Sequence, residues 1–298
     1  MPAPASFRLE MLQVARLAPK LLGESAALVA AFLRSQFSTS GGFVDRENRP
    51  DFYYTVFGIE AMLALQIELP RERLVAFLRT CDDVDRMDFV HLCSLARAVA
   101  GAGGEVLSGE VKSDISARLQ SYRTADGGFH GSPGKAHGSA YGALLAWGAY
   151  SDLGLKLAEG SRLLDSVMAL RLPDGSFANE RGLADGTTTA TGAALTLCRH
   201  LGHKTESITG EWLLRQVHTS GGFLATPRAP LPDLLSTAVA LHALDSIGVS
   251  YANVREACLD FVDSLWSATG GFHGHWADDQ LDCEYTYYGL LALGHLAL

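Results

Sequence analysis

The chain has 298 residues, 48% of them hydrophobic and 19% charged, and a formal net charge of −9. That balance supplies a large apolar core and excludes disorder; an acidic chain with scattered Lys and Arg also lacks the positive field that a nucleic-acid partner requires. Its longest apolar stretches, such as residues 26–33, fall far short of the roughly 20 residues that cross a bilayer, so no transmembrane helix is expected.

In chain order, residues 1–24 read as a lead-in helix. MPAPASFRLEMLQ has no basic stretch running into an apolar one, so no signal peptide is expected. Residues 25–37, SAALVAAFLRSQF, carry apolar side chains at i, i+3 and i+4 and predict a one-sided helix. Gly41-Gly42-Phe43 follows, and then TVFGIEAMLAL (55–65), apolar nearly all round, predicts a helix buried on most sides. The succession recurs. Gly127-Gly128-Phe129 precedes SAYGALLAWGAY (139–150), and Gly175-Ser176-Phe177 precedes TTATGAALTLC (188–198). Gly221-Gly222-Phe223 separates GEWLLRQVHTS (210–220) from STAVALHAL (236–244). Gly270-Gly271-Phe272 separates REACLDFVDSLWS (255–267) from TYYGLLALGHL (286–296).

The phenylalanines at 43, 129, 177, 223 and 272 leave one gap of 86, which a second mark fills. A polar residue opens each apolar helix: Asp51, Asp88, His137, Asp185, Asp233 and Asp282, at spacings of 37, 49, 48, 48 and 49. Six hairpins are therefore expected, 25–298, the second without its glycine loop. The glycines allow the positive φ of a helix end and a tight reversal. Asp is a favoured N-cap. All six buried helices would then start at one rim of a central cavity. The five cysteines, Cys81, Cys93, Cys198, Cys258 and Cys283, are odd in number, far apart and without a CxxC. They predict reduced thiols in a cytoplasmic protein.

Three stretches carry a family resemblance. GGFHGSPGKAHGSAYGALLA (127–146) presents Gly127, Phe129, Gly131, Pro133, Gly134, His137 and Tyr141 in order; PDGSFANERGLAD (173–185) leads into a buried helix; and DFYYT (51–55) is echoed by DCEYT (282–286). These resemble the repeats of the protein-prenyltransferase β-subunit and squalene-cyclase family, over roughly residues 25–298. The resemblance implies an all-α fold, an α6/α6 toroid with an inner and an outer wall, residues 1–298 forming one domain. It also implies an isoprenoid, an isoprenoid diphosphate or another apolar small molecule in the cavity, with prenyl transfer or terpenoid cyclisation as the activity. The implied partner is an α-type subunit or a second copy of the chain. An inactive toroid that binds or scaffolds is the alternative, since fold alone does not establish activity.

The chemistry-bearing places depart from the family. Its zinc is held by an Asp, a Cys two residues on and the His of an Asp-x-Tyr-His-Thr motif; here those places are Asp233, Leu235 and Tyr285. One ligand of three does not hold zinc, and no cofactor is predicted. Asp278-Asp279-Gln280-Leu281-Asp282 matches DDxxD, whose clustered carboxylates suit Mg²⁺. Asp82-Asp83-Val84-Asp85 is similar to the acid motif of class II cyclases without matching it. The family's diphosphate-binding cations fall at Glu180, Pro227 or Arg228, Pro230 and Ser236, which leaves Arg228, with Arg46, Arg49 and Lys135 on neighbouring loops. The candidate catalytic residues are Asp233, Asp282 and Tyr285. The candidate ligand contacts are Arg46, Arg49, Tyr54, Lys135, His137, Tyr141, Arg228 and Tyr288. Tyr53, Phe57, Trp147 and Tyr287 are expected to complete an aromatic lining, which suits an apolar chain or a developing carbocation.

Overall fold

A computed structural model of the chain describes residues 6–81 and 84–298. Among them the helices run α1 (Phe7–Ala15), α2 (Pro19–Leu22), α3 (Ala26–Ser35), α4 (Phe52–Ala64), α5 (Arg71–Leu78), α6 (Phe89–Ala102) and α7 (Gly109–Gln120). They continue as α8 (Ala140–Asp152), α9 (Gly160–Met168), α10 (Thr188–His200), α11 (Ser207–Leu214), α12 (Leu234–Ser246), α13 (Arg255–Ser264) and α14 (Cys283–Leu296). The even helices α4 to α14 form the inner wall. Each packs on the next, and α14 returns to pack on α4, so the ring is closed. The odd helices α3 to α13 lie outside and bury one face each, as α13 does with Cys258, Phe261 and Val262. The α6/α6 toroid is the observed fold.

Asp51, Asp88, Asp233 and Asp282 cap their inner helices, accepting the N–H of Tyr54, His91, Ser236 and Tyr285. In the third and fourth hairpins the expected caps stand two residues too early. Ser139 and Thr187 do the capping, accepting from Gly142 and Ala190, while His137 faces Asp126 and Asp185 pairs with Arg228. A hydroxyl satisfies a first-turn N–H as well as a carboxylate does, so both choices leave a sound helix start.

The glycine loops wedge each hairpin against its neighbour. Gly41, Gly127, Gly175, Gly221 and Gly270 hold φ between +83° and +100°. They also touch the following outer helix so closely that a Cβ on Gly221 would lie 1.9 Å from the Ala257 carbonyl oxygen. The phenylalanine that follows turns inward, is buried, and bridges antiparallel to the end of its own outer helix, as Phe43 does to Phe37. In the fifth hairpin the bridge extends to a two-residue strand pair, β1 (Phe223–Leu224) on β2 (Pro232–Asp233). The N–H groups of Phe43, Phe177, Phe223 and Phe272 donate to Thr55, Thr191, Thr237 and Thr286, each four residues past the cap. That Thr is a repeat mark as regular as the Asp.

The lead-in segment does more than precede the ring. α1 packs on α14 and α4 at the end of the barrel opposite the N-caps. Phe7 enters the space left by Gly148, where a Cβ would stand 2.6 Å from its ring, and the Val14 carbonyl lies against Gly294. One end of the barrel is thereby stoppered.

Candidate functional site

The inner wall encloses a cavity of about 420 Å³, in the range that takes a small organic ligand. Its lining follows the helical repeat. Residues two, six and nine places past each N-cap share one face of their helix, and they stack in three layers. Tyr53, Tyr141, Thr189, Leu235 and Glu284 form the upper layer; Phe57, Ser94, Leu145, Ala193, Val239 and Tyr288 form the middle one. Arg97, Thr196, His242 and Leu291 form the floor, completed by Phe7 and Met11 of α1. At 1.5 Å per residue, upper layer and floor are separated by roughly 10 Å along the axis.

Glu284 is the acid of this cavity. Burial pushes its carboxyl up to about 7, against the Tyr53 hydroxyl, which donates to Oε1 at 2.5 Å. Oε2 has no hydrogen-bond partner among the described residues. Around it stand Tyr53, Tyr141 and Tyr288, all held well protonated by burial, Tyr141 at about 12. Tyr141 is 44% exposed, and the exposed surface faces the cavity. Tyr53, Phe57 and Tyr288 form an edge-and-tilt aromatic chain with centroid spacings of 5.0 and 5.5 Å. A carboxyl that burial raises to about 7 thus faces a largely apolar, aromatic space.

Of the eleven candidate site residues, Tyr141 and Tyr288 line the cavity. The rim holds most of the others. Asp282 accepts from Arg46 as well as from its own helix, and Arg46 also binds Asp278 through both terminal nitrogens. Arg46 lies in the first glycine loop, so the Asp278–Asp282 pair closes the ring with a guanidinium between its carboxylates, in the place where a DDxxD motif would hold a cation. Asp82 and Asp83 of the second acidic cluster lie outside the described residues. Asp233 is pushed up by burial and spends both oxygens on Ser236. Tyr285 packs its ring on Gly274 and under Arg46, and the neighbouring Leu235 faces the cavity. That trio does not fit a zinc ion, and among the described residues no three His, Cys, Asp or Glu side chains gather around a point.

The cations are equally committed. Arg49 pairs with Asp45 and Glu47, Arg228 with Asp185, and Lys135 is exposed. They do not converge on one rim. Tyr54 caps nothing and lies outside the lining, Trp147 packs into the wall, and Tyr287 is fully buried in the core. Glu284, Arg97 and His242, the ionisable groups of the cavity, carry no motif. Their signal in the sequence is positional: charged or imidazole side chains at places two and nine of otherwise apolar inner helices.

One rim contact titrates. His91 binds Asp51 through Nε2 at 3.0 Å and Asp88 through Nδ1 at 2.8 Å, joining the caps of α4 and α6. The Asp51 hydrogen bond, with that of Asp88, raises its pKa to about 9 against partial burial. A raised folded-state pKa stabilises fully below the unfolded value of about 6.5 and is lost as pH rises through 9. The urea midpoint of the protein should therefore exceed that of His91→Asn at pH 6, and the gap should close by pH 10. An unchanged gap would mean that His91 is neutral in the fold.

Three stretches of the chain, 12–91, 71–203 and 191–297, match the family model of the prenyltransferase alpha-alpha toroid domain. The chain belongs to this family. No curated protein matches it. Among solved structures, this toroid resembles the type II terpene cyclase MstE from Scytonema at 13% identity and a TM-score of 0.62, over 95% of this chain and 98% of that one. A variant of MstE has been solved with geranylgeranyl dihydroxybenzoate as substrate. A glycosidase in complex with glucose is similar at 13% identity and TM-score 0.61, over 96% and 97% of the two chains. The ent-copalyl diphosphate synthase from Streptomyces platensis is similar at 16% identity and TM-score 0.51, over 83% of this chain and 50% of that one. Likeness at this level of identity extends to the fold, which a glycosidase and terpene cyclases share.

Proposed function

We propose that this toroid binds an isoprenoid or a comparable apolar polyene in its central cavity and cyclises it by protonation. The observation that carries this reading is Glu284: a carboxyl near neutrality, with one free oxygen, at the wall of an aromatic cavity. A sugar would need polar partners all around its ring; beside Thr189 and Asn179 near Glu284, the wall below offers Phe57, Leu145, Val239 and tyrosine faces. In the reaction the Oε2–H bond breaks and the proton forms a C–H bond with the electron pair of an alkene. The next double bond attacks the resulting cation, and loss of a proton from the last cation returns the count. Substrate and product are isomers. Aromatic faces stabilise the charge on the way.

Prenyl transfer from a diphosphate is the weaker reading, because Arg46, Arg49 and Arg228 are each neutralised by carboxylates. The reading carries with it a cytoplasmic location, in keeping with the free thiols of Cys93, Cys198, Cys258 and Cys283. Pairing with an α-type subunit or a second copy is a matter for solution measurement.

The test is incubation with farnesol, geranylgeraniol and their diphosphates in D₂O, with and without Mg²⁺, followed by mass analysis. The expected product is a cyclic isomer that carries one solvent deuterium. Released diphosphate would overturn proton initiation. Binding without product would favour a carrier, and no binding of any isoprenoid would end the reading altogether.

A further inference from the structure

The floor of the cavity holds a charge with no direct ion pair among the described residues. Arg97 is half-buried and faces the cavity, yet among the described residues no carboxylate lies within 4 Å of its guanidinium. Its contacts are the Met11 sulfur at 4.0 Å and the face of Phe7 at 5.4 Å, and its Nε has no partner. Beneath the floor Arg8 binds Glu60 at 3.0 Å and faces Asp152 at 3.6 Å, and Arg97 shares the field of both carboxylates without touching either. Burial works against the charge of Arg97, and the fields of Glu60, Tyr287 and Asp152 outweigh it, so it stays protonated. From α12, across the ring, His242 shares a hydrogen bond of 3.0 Å with His295 through Nδ1 and leaves Nε2 unpartnered. Thr196 adds a hydroxyl to the floor, and Ser94 stands one layer above it.

A half-buried guanidinium without a direct ion pair is costly to keep. Its planar fork of donors matches a carboxylate or a phosphate. We infer that Arg97 is the receptor for an anionic head group, and that the ligand is an amphiphile lying head-down, with a carboxylate or other anionic oxygen at the floor and its apolar chain rising toward Glu284. The tautomer in which His242 Nδ1 accepts from His295 turns Nε2–H into a second donor to that head. The roughly 10 Å between the layers is then the distance from the head to the atoms that meet the acid. This inference rests on the reading of the cavity as an isoprenoid site and adds the head group to it.

The experiment is a set of calorimetric titrations of the full chain with farnesol, farnesoic acid, farnesyl phosphate and palmitic acid, on wild type and Arg97→Met. Wild type should bind farnesoic acid at least about 10-fold more tightly than farnesol, and Arg97→Met should bring the ratio to about one while leaving farnesol unaffected. Preference for farnesyl phosphate over farnesoic acid, lost in the same variant, would assign the anion as a phosphate. A ratio near one in wild type, or one that survives in Arg97→Met, overturns the inference and leaves the isoprenoid site standing. If neither isoprenoid binds, the isoprenoid reading falls, and Arg97-dependent binding of palmitic acid decides the head group alone: its presence sustains the inference and its absence overturns it. Should Arg97→Met fail to fold, the ¹³C carboxyl resonance of labelled farnesoic acid bound to wild type decides. It should stay in its ionised position to about pH 4, below the ordinary range for such an acid, and titration as in buffer would overturn the inference.

Discussion

Replacing Glu284 by Gln is expected to lower cyclisation of an acyclic isoprenoid by about 10³-fold, the usual worth of a positioned general acid. The amide keeps the shape, and its oxygen still accepts from Tyr53, whose hydroxyl holds Oε1 at 2.5 Å. Only the transferable proton is gone. The wild-type rate should be level below pH 7 and fall tenfold per unit above it, because the active form is the protonated acid and burial sets its pKa at about 7. Stability gives an independent sign. Between about 4.5 and 7 the folded state binds more protons than the unfolded state, so the carboxyl costs stability as pH rises through that window. Glu284→Gln should therefore be at least as stable as wild type at pH 8. A variant that keeps its rate, or that loses activity only by unfolding, would remove Glu284 from the chemistry.

Gly270→Ala is expected to cost about 3–5 kcal/mol, from left-handed strain added to overpacking. Gly270 sits at φ +100°, and a Cβ there would stand 2.1 Å from the Leu28 carbonyl oxygen on α3. This is the joint at which the sixth hairpin meets the first. Backbone cannot move aside as a side chain can, so the ring has to open there to admit a methyl group. Gly182→Ala serves as the control: its φ is +86° and nothing lies within 4 Å of the added atom. It carries the backbone strain alone, about 1 kcal/mol. Thermal denaturation followed by circular dichroism should separate the two by several degrees. Equal losses would mean that the glycine loops serve only the turn and do not close the ring.

The ring was legible because each hairpin repeats the same local solution. Asp51, Asp88, Asp233 and Asp282 stand where a helix start needs an acceptor, and Gly41, Gly127, Gly175, Gly221 and Gly270 where the backbone needs positive φ. Such needs recur at fixed spacing and leave a trace in one dimension. His137 and Asp185 missed their helices by two places because Ser139 and Thr187 meet the same need without a charge. The Thr that ties each buried Phe to its inner helix was equally regular, but threonine is common enough in helices that the mark is visible only once the contact is known.

Most of the candidate site residues lie outside the cavity lining. Asp282, Arg46, Arg49 and Arg228 are conspicuous charges in loops, and the fold commits each to an ion pair: Asp282 with Arg46, Arg49 with Asp45 and Glu47, Arg228 with Asp185. Glu284, Arg97 and His242 are single polar residues in apolar helices, far apart in the chain, and their meeting depends on six helices closing in register. The stopper α1 is likewise unremarkable as sequence. The amino-acid sequence by itself determined six hairpins, their order and their loops, since propensity, capping and turn chemistry act over a few residues. Tertiary structure alone decided that the lead-in helix seals one end, that Arg46 fills the acidic motif, and that an acid and an unpaired arginine face one cavity. Those depend on which faces meet across the ring, and burial rather than local sequence sets the charge of the acid found there.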